Sequence, residues 1–293
     1  MGLSDVILAI ITHTPRHLRR CLLAVACADA RPSRVAVSCD GNAPELLAAA
    51  RSASREFELP FLLVSREHTG QGRSGQTRNN AARALLAAGA AESSRLVFFD
   101  GDCCPARDCF EAHRRLGGTD GMPHGGVVVG FRVDLSEEQS ADFDEAAVRE
   151  GRPPADISLT QWSQLERRDR RYRRTVFWRK LGLAKAHKPK ILSANFSVPL
   201  GTFVKINGFD EEFVGWGAED DDVGRRLYAA GAVPCVGVRA CVVYHQWHAT
   251  RAPASWNKIP GADRFLRGTP TRCLRGIENP VEQPPVSVEV LGG

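Results

Sequence analysis

The chain has 293 residues, 43% hydrophobic and 25% charged, with a formal net charge of +5. That length and apolar content support one large domain or two small ones. No run approaches the ~18–20 apolar residues of a membrane span, and the start Met1-Gly2-Leu3-Ser4-Asp5 lacks the basic region of a signal peptide.

The continuous apolar run Val6–Ile11 predicts a buried parallel strand. It ends in Thr12-His13-Thr14-Pro15, followed by a predicted helix over His17–Ala28. Arg34–Cys39 predicts a second strand, ending at Asp40-Gly41-Asn42, with a helix over Glu45–Ser54 behind it. Pro60–Val64 predicts a third strand, and the loop Gly70–Gly75 opens a helix over Thr77–Ala88. This loop lacks the Gly-Lys-Ser/Thr of a P-loop. Leu96–Phe99 predicts a fourth strand and Val127–Arg132 a fifth. Strands alternating with helices predict an α/β fold, a Rossmann-like, mostly parallel central sheet with helices on both faces. Such sheets bind ligands at the strand C-terminal ends. Thr12, Asp40, Arg78, Asp100 and Asp102 gather there, so one crevice is supplied by separated segments.

From about Asp134 to Lys190 the sequence is first acidic and then basic, with weak periodicity. Strand character resumes at Ser193–Val198, and Val204–Ile206 leads into the turn Asn207-Gly208-Phe209-Asp210. After Gly215-Trp216-Gly217 a helix is predicted over Glu219–Ala230, its acidic first turn favoured by the helix dipole. Late strands are expected at Cys235–Val238 and Ala240–Tyr244, the latter delivering His245-Gln246-Trp247-His248. The Pro-, Gly- and Arg-rich remainder reads as a covering tail.

Two acidic motifs stand out. Asp100-Gly101-Asp102 follows a buried strand, where a carboxylate pair is costly unless a cation neutralises it. A divalent metal carrying a diphosphate is the natural candidate. Glu219-Asp220-Asp221-Asp222 follows a Gly-Trp-Gly turn, where acid–base chemistry is plausible. The ordinary alternatives are a turn or cap carboxylate for the first and a dipole-stabilised helix start for the second.

The ordered set of Asp-Gly-Asp, Asn195-Phe196-Ser197, the string from Asn207 to Asp222 and Tyr244-His245-x-Trp247-His248 resembles inverting glycosyltransferases of the GT-A fold. Bacterial family 2 enzymes look nearest. The C-terminal motif is similar to β-1,4-galactosyltransferases and polypeptide N-acetylgalactosaminyltransferases. The resemblance covers roughly residues 5–132 and 191–250. It implies a UDP-sugar donor and a divalent metal on Asp102, with Asp100 on ribose or on metal through water. It implies His245 as a further metal ligand, with His248 as the rival. An imidazole ligand tilts the metal toward Mn²⁺ over Mg²⁺. Those galactosyltransferases, however, carry a Met where Val242 stands here, which leaves the preference open.

The resemblance also implies Asp220 as catalytic base and Glu219 as a holder of donor or acceptor sugar. It implies Asp40 as acceptor of the uracil N3–H, and Thr12 and Arg78 near the nucleotide. For Arg78 a surface salt bridge is an equal reading. Trp216, freed by Gly217, suits a sugar face, with a core tryptophan as its competitor. Asn195 is expected at the donor sugar or in a strand-end turn.

Glu166–Lys190 carries eleven Lys/Arg against two Asp/Glu, a net +9, which leaves the rest of the chain at about −4. With Phe177, Trp178, Leu181 and Leu183 among the charges, the strip reads as contact with anionic lipid, as a clamp on a lipid-linked acceptor, or as a solvated flap. The nine cysteines form no CxxC pair and read as reduced thiols. The expected location is therefore cytoplasmic, or peripheral at the inner membrane face.

The expected organisation is one catalytic domain over 1–293: a nucleotide-sugar half to 132, the insertion 133–190, an acceptor and metal half 191–252, and the tail 253–293. The acceptor is expected to be a glycan or lipid-linked glycan, and no nucleic-acid partner is expected. A sugar-nucleotide nucleotidyltransferase and a catalytically silent sugar-binding protein remain as alternatives.

Overall fold

The structure is a computed structural model that describes residues 2–118, 125–215, 217–249 and 261–292. The first half alternates strands and helices as the apolar runs dictate. These are β1 (Gly2–Thr12), α1 (Leu18–Ala26), β2 (Arg31–Cys39), α2 (Pro44–Glu56), β3 (Phe61–Ser65), α3 (Ser74–Ala87) and β4 (Arg95–Asp100). Next come β5 (Cys103–Pro105), α4 (Cys109–Gly117), β6 (Gly126–Val129) and β7 (Val133–Asp134). The insertion holds α5 (Glu137–Asp142), α6 (Glu145–Glu150) and α7 (Leu159–Lys180). The chain closes with β8 (Asn195–Pro199), α8 (Leu200–Lys205), α9 (Glu219–Ala229), β9 (Val233–Val236), β10 (Val243–His245), α10 (Ala262–Arg267) and β11 (Ser287–Leu291).

The main sheet has eight strands in the order β11-β3-β2-β1-β4-β8-β6-β9. β3, β2, β1 and β4 run parallel, and β8 enters antiparallel between β4 and β6. The central strand β1 is buried from Val6 to Ile10, which is why its sequence is a continuous apolar run rather than an alternation. The tail was expected only to cover. Its last strand instead pairs antiparallel with β3 and extends the sheet. Pairing there gives the edge of β3 the partners its backbone groups need.

Register sets up the crevice. Thr12 pairs with Cys39, and Ile11 with Asp100, so Thr12, Asp40 and Asp100 reach the same edge of the sheet. A second sheet of three strands, in the order β5-β10-β7, stands beside that edge. Beneath both lies an aromatic core in which Phe98 stacks on Phe196 at 4.8 Å and contacts Phe203 and Phe209. Each such ring contributes about 1.5–3 kcal/mol by burial. The cluster ties β4, β8, α8 and the Asn207–Asp210 turn into one support for the acidic motifs.

Candidate active site

The small sheet brings distant residues together. His245 pairs with Cys103 on one side and with Asp134 on the other, which sets its imidazole beside Asp102. His245 Nε2 lies 3.4 Å from Asp102 Oδ2, and His248 Nε2 lies 3.2 Å from the same oxygen. The ligand atoms of Asp102, His245 and His248 all fall within 4.8 Å of one another. The sequence ranked His245 ahead of His248; the structure places both at Asp102. Gly101 has no substitute here, because a Cβ would meet the Thr12 side chain at 2.9 Å.

Asp134 was not singled out in the sequence. Its Oδ1 holds His245 Nδ1 at 3.0 Å and Arg132 Nε at 2.8 Å. A carboxylate behind a histidine fixes its ring and tautomer and makes the free nitrogen a better ligand. Asp134→Asn is expected to loosen His245 and so weaken any divalent cation held by the cluster by about 10–100-fold, measured by calorimetric titration.

The four acids of α9 separate into different roles. Asp222 binds Arg225 and Arg226, each at 2.7 Å. Asp221 faces Lys190 at 3.2 Å and Lys188 at 3.8 Å. Glu219 accepts a hydrogen bond from Ser74 Oγ at 3.0 Å. Asp220 Oδ1 is buried without a hydrogen-bond partner among the described residues. The chain reaches this helix through Gly215, whose N–H binds Gly72 O at 2.8 Å, and through Ala218 at φ +70°. A non-glycine residue in that left-handed region is strained, and such strain clusters at functional sites.

Arg78 pairs with Asp100 Oδ1 at 2.5 Å and sits over the Phe209 ring. It is buried rather than a surface salt bridge, and its Nε and Nη1 have no partner among the described residues. Two buried orphan donors beside a crevice suit an anionic ligand. Asp40 holds Arg66 and accepts Arg73 N–H at 3.0 Å, and each carboxylate oxygen keeps a further lone pair. Thr12 is nearly covered and donates to Thr14 O.

Residues 177–236 match the family model described as the N-terminal domain of galactosyltransferase. A stretch of 91 residues is 32% identical to validoxylamine A glucosyltransferase of Streptomyces hygroscopicus subsp. jinggangensis (strain 5008), covering 30% of this chain and 22% of that protein. GalNAc-T7, solved with UDP, GalNAc and Mn²⁺, superposes with a TM-score of 0.55 at 12% identity, over 90% of this chain and 48% of that one. TarS of S. aureus in complex with UDP gives a TM-score of 0.51 at 14% identity, over 82% of this chain and 60% of that one. The chain has the GT-A glycosyltransferase fold. The matched stretch spans only 22% and 20% of the lengths of the two curated relatives.

In this GT-A chain one expected contact fails. Asn195 is fully buried, and its Nδ2 donates to Phe131 O at 2.6 Å and to Cys241 O at 2.7 Å. Its Oδ1 meets His113 Nε2 at 2.9 Å. With every amide group engaged, Asn195 ties β8 to α4 and to the loops at Phe131 and Cys241 rather than facing a donor sugar. Trp216 lies outside the described residues; Gly217, beside it, adopts φ +105°.

Charge in the GT-A crevice is finely divided. Burial alone would raise the Asp102 carboxyl, yet hydrogen bonds from His245 and then His248 hold it well below the ordinary range. Burial would lower His245, but Asp102 and Asp134 bring it up to about 8. Burial pushes Asp100 upward against the pull of Arg78, and Asp102 and Asp220 both add to the push. Asp100 thus feels the acids on either side of it.

Glu219 is pushed up to about 7, first by burial and then by Asp220. A folded-state value above the unfolded one means the folded chain keeps a proton that the unfolded chain has lost. Stability therefore falls as pH rises from the ordinary Glu range through about 7. Glu219→Gln is expected to flatten that fall, checked by urea unfolding at about pH 5 and about pH 8.

Proposed function

We propose that the chain is a metal-dependent, inverting glycosyltransferase moving a hexose or N-acetylhexosamine from a UDP-sugar to a glycan or lipid-linked glycan acceptor. The observation that carries this reading is the convergence of Asp102, His245 and His248 at the strand edge that also presents Asp100 and Thr12. One carboxylate and two imidazoles fit a divalent cation of borderline hardness, Mn²⁺ better than Mg²⁺. Residues 1–293 act as one catalytic unit in this reading, cytoplasmic or peripheral at the inner membrane face.

Asp102, His245 and His248 would hold the cation, and Asp134 would orient His245. When bound, the cation supplies positive charge to the diphosphate as it leaves. The orphan N–H groups of Arg78 would add hydrogen bonds to phosphate oxygens. Thr12 and Asp40 would border the base.

Asp220 takes the proton of the acceptor hydroxyl while that oxygen attacks the anomeric carbon. The bond from that carbon to the diphosphate breaks on the opposite face, and its electron pair leaves with the diphosphate. One displacement inverts the centre, and one base suffices. Glu219, whose carboxyl burial and then Asp220 push upward, can in its protonated form donate a hydrogen bond to a sugar hydroxyl.

Calorimetric titration with UDP, with and without Mn²⁺ and with GDP and CDP as controls, tests the donor half. UDP-selective, Mn²⁺-dependent binding is expected. Absence of binding under every metal would leave the resemblance as architecture alone. Transfer from a UDP-sugar then separates an enzyme from a silent sugar-binding protein.

A further inference from the structure

We propose that the C-terminal end of α7 and the turn after it dock the protein on an anionic lipid bilayer. This deepens the peripheral contact named above to specific residues. Its test uses neither UDP nor turnover, so its failure is separable from failure of the donor reading.

α7 is a 22-residue helix that buries only Leu165, Asp169 and Tyr172. At 100° per residue, Arg167, Arg170, Arg171 and Arg174 fall on the opposite face, and all four are exposed. Of these, Arg170 alone has an ion pair among the described residues, with Glu166 at 3.7 Å. The same face ends in Phe177 and Trp178, which are 56% and 42% exposed. Leu181 and Leu183 follow at 55% and 69%.

These four exposed apolar residues lie within seven consecutive positions, at the end of α7 and in the turn that follows. The Phe177 and Trp178 rings meet edge to face at 5.4 Å. Leu181 N and Leu183 N both bond Trp178 O, at 3.2 and 2.9 Å, which folds the turn back on the helix. Arg179 clamps the far side of the turn through the carbonyls of Lys185, Ala186 and Lys188. The fold thus holds large apolar side chains out in water, at a cost that a covering surface would remove.

Charge selects the covering surface. A second copy of this chain would bring another +9 segment against the first, and like charges repel. An anionic bilayer accepts both parts: arginines at the headgroups, and aromatic and leucine side chains at the acyl boundary.

The test is co-sedimentation of the intact chain with vesicles of phosphatidylcholine alone and of an equal mixture with phosphatidylglycerol. Binding to the mixed vesicles only, weakened by salt, is expected. Arg171→Gln with Arg174→Gln should lower partitioning on the order of thirtyfold. Trp178→Ser with Leu181→Ser should abolish insertion, read as loss of fluorescence quenching by brominated lipid. All four positions are exposed, so unchanged circular dichroism and melting are expected to accompany these losses. Equal binding to neutral vesicles, no binding to either, or binding unchanged in both double variants overturns the proposal. So does a dimer in light scattering that Trp178→Ser with Leu181→Ser dissolves.

Discussion

Asp220→Asn is expected to lower kcat by about 10²–10⁴-fold while leaving Mn²⁺-dependent UDP binding intact. The substitution keeps shape and removes only basicity. Asp220 Oδ1 has no partner among the described residues, so that oxygen carries no structural bond that the amide would break. Its neighbours give the contrast. Asp222→Asn would weaken the Arg225 and Arg226 pairs, and Asp221→Asn those of Lys188 and Lys190, so both report on stability. Glu219→Gln keeps the Ser74 bond and is expected to act on KM more than on kcat. Single-turnover transfer checks the assignment: the rate should collapse in Asp220→Asn and largely survive in Glu219→Gln. Normal turnover by Asp220→Asn, with loss in Glu219→Gln, would move the base to Glu219.

The crevice was legible because parallel strands buried on both faces leave continuous apolar runs. Their polar ends, Thr12, Asp40 and Asp100, therefore stand out and align once β1, β2 and β4 are in register. The small sheet was not legible. β7 has two residues and β5 three, too short for any periodicity, yet their pairing with β10 puts Asp134 and Asp102 at His245. α3 was read as an ordinary helix, but Gln76, Thr77, Arg78, Asn79 and Asn80 are all buried. They are wedged against the Asn207–Asp210 turn and the tail: Asn79 brackets Phe209 by both backbone groups, and Gln76 and Asn80 bind Val281 O and Gln283. Tertiary contact overrides hydropathy there, and no local pattern announces it. α7 was hidden for the opposite reason. Its charges swamp the apolar period, although its composition still showed the +9.

Asp102→Ala is expected to abolish the Mn²⁺ dependence of UDP binding, a loss beyond the about 10–100-fold of an outer-shell change such as Asp134→Asn. Asp102 is the residue on which both imidazoles converge, and it is the only carboxylate of the three-residue cluster. Without it, His245 keeps Asp134 as a partner, while His248 keeps the Ala249 carbonyl and its ring contact with His245 among the described residues. Two imidazoles without a carboxylate make a poor seat for Mn²⁺, which still favours oxygen ligands. His245→Ala and His248→Ala divide the remainder. Both should weaken Mn²⁺ binding, and His245→Ala more, because Asp134 holds that ring in place while His248 sits on irregular backbone. A protein that binds UDP and Mn²⁺ unchanged after Asp102→Ala would remove the metal from this cluster. The burden of binding the diphosphate would then fall on Arg78 and its orphan donors. Arg78→Lys would test that outcome, since a lysine keeps the charge but cannot present the same pair of N–H groups.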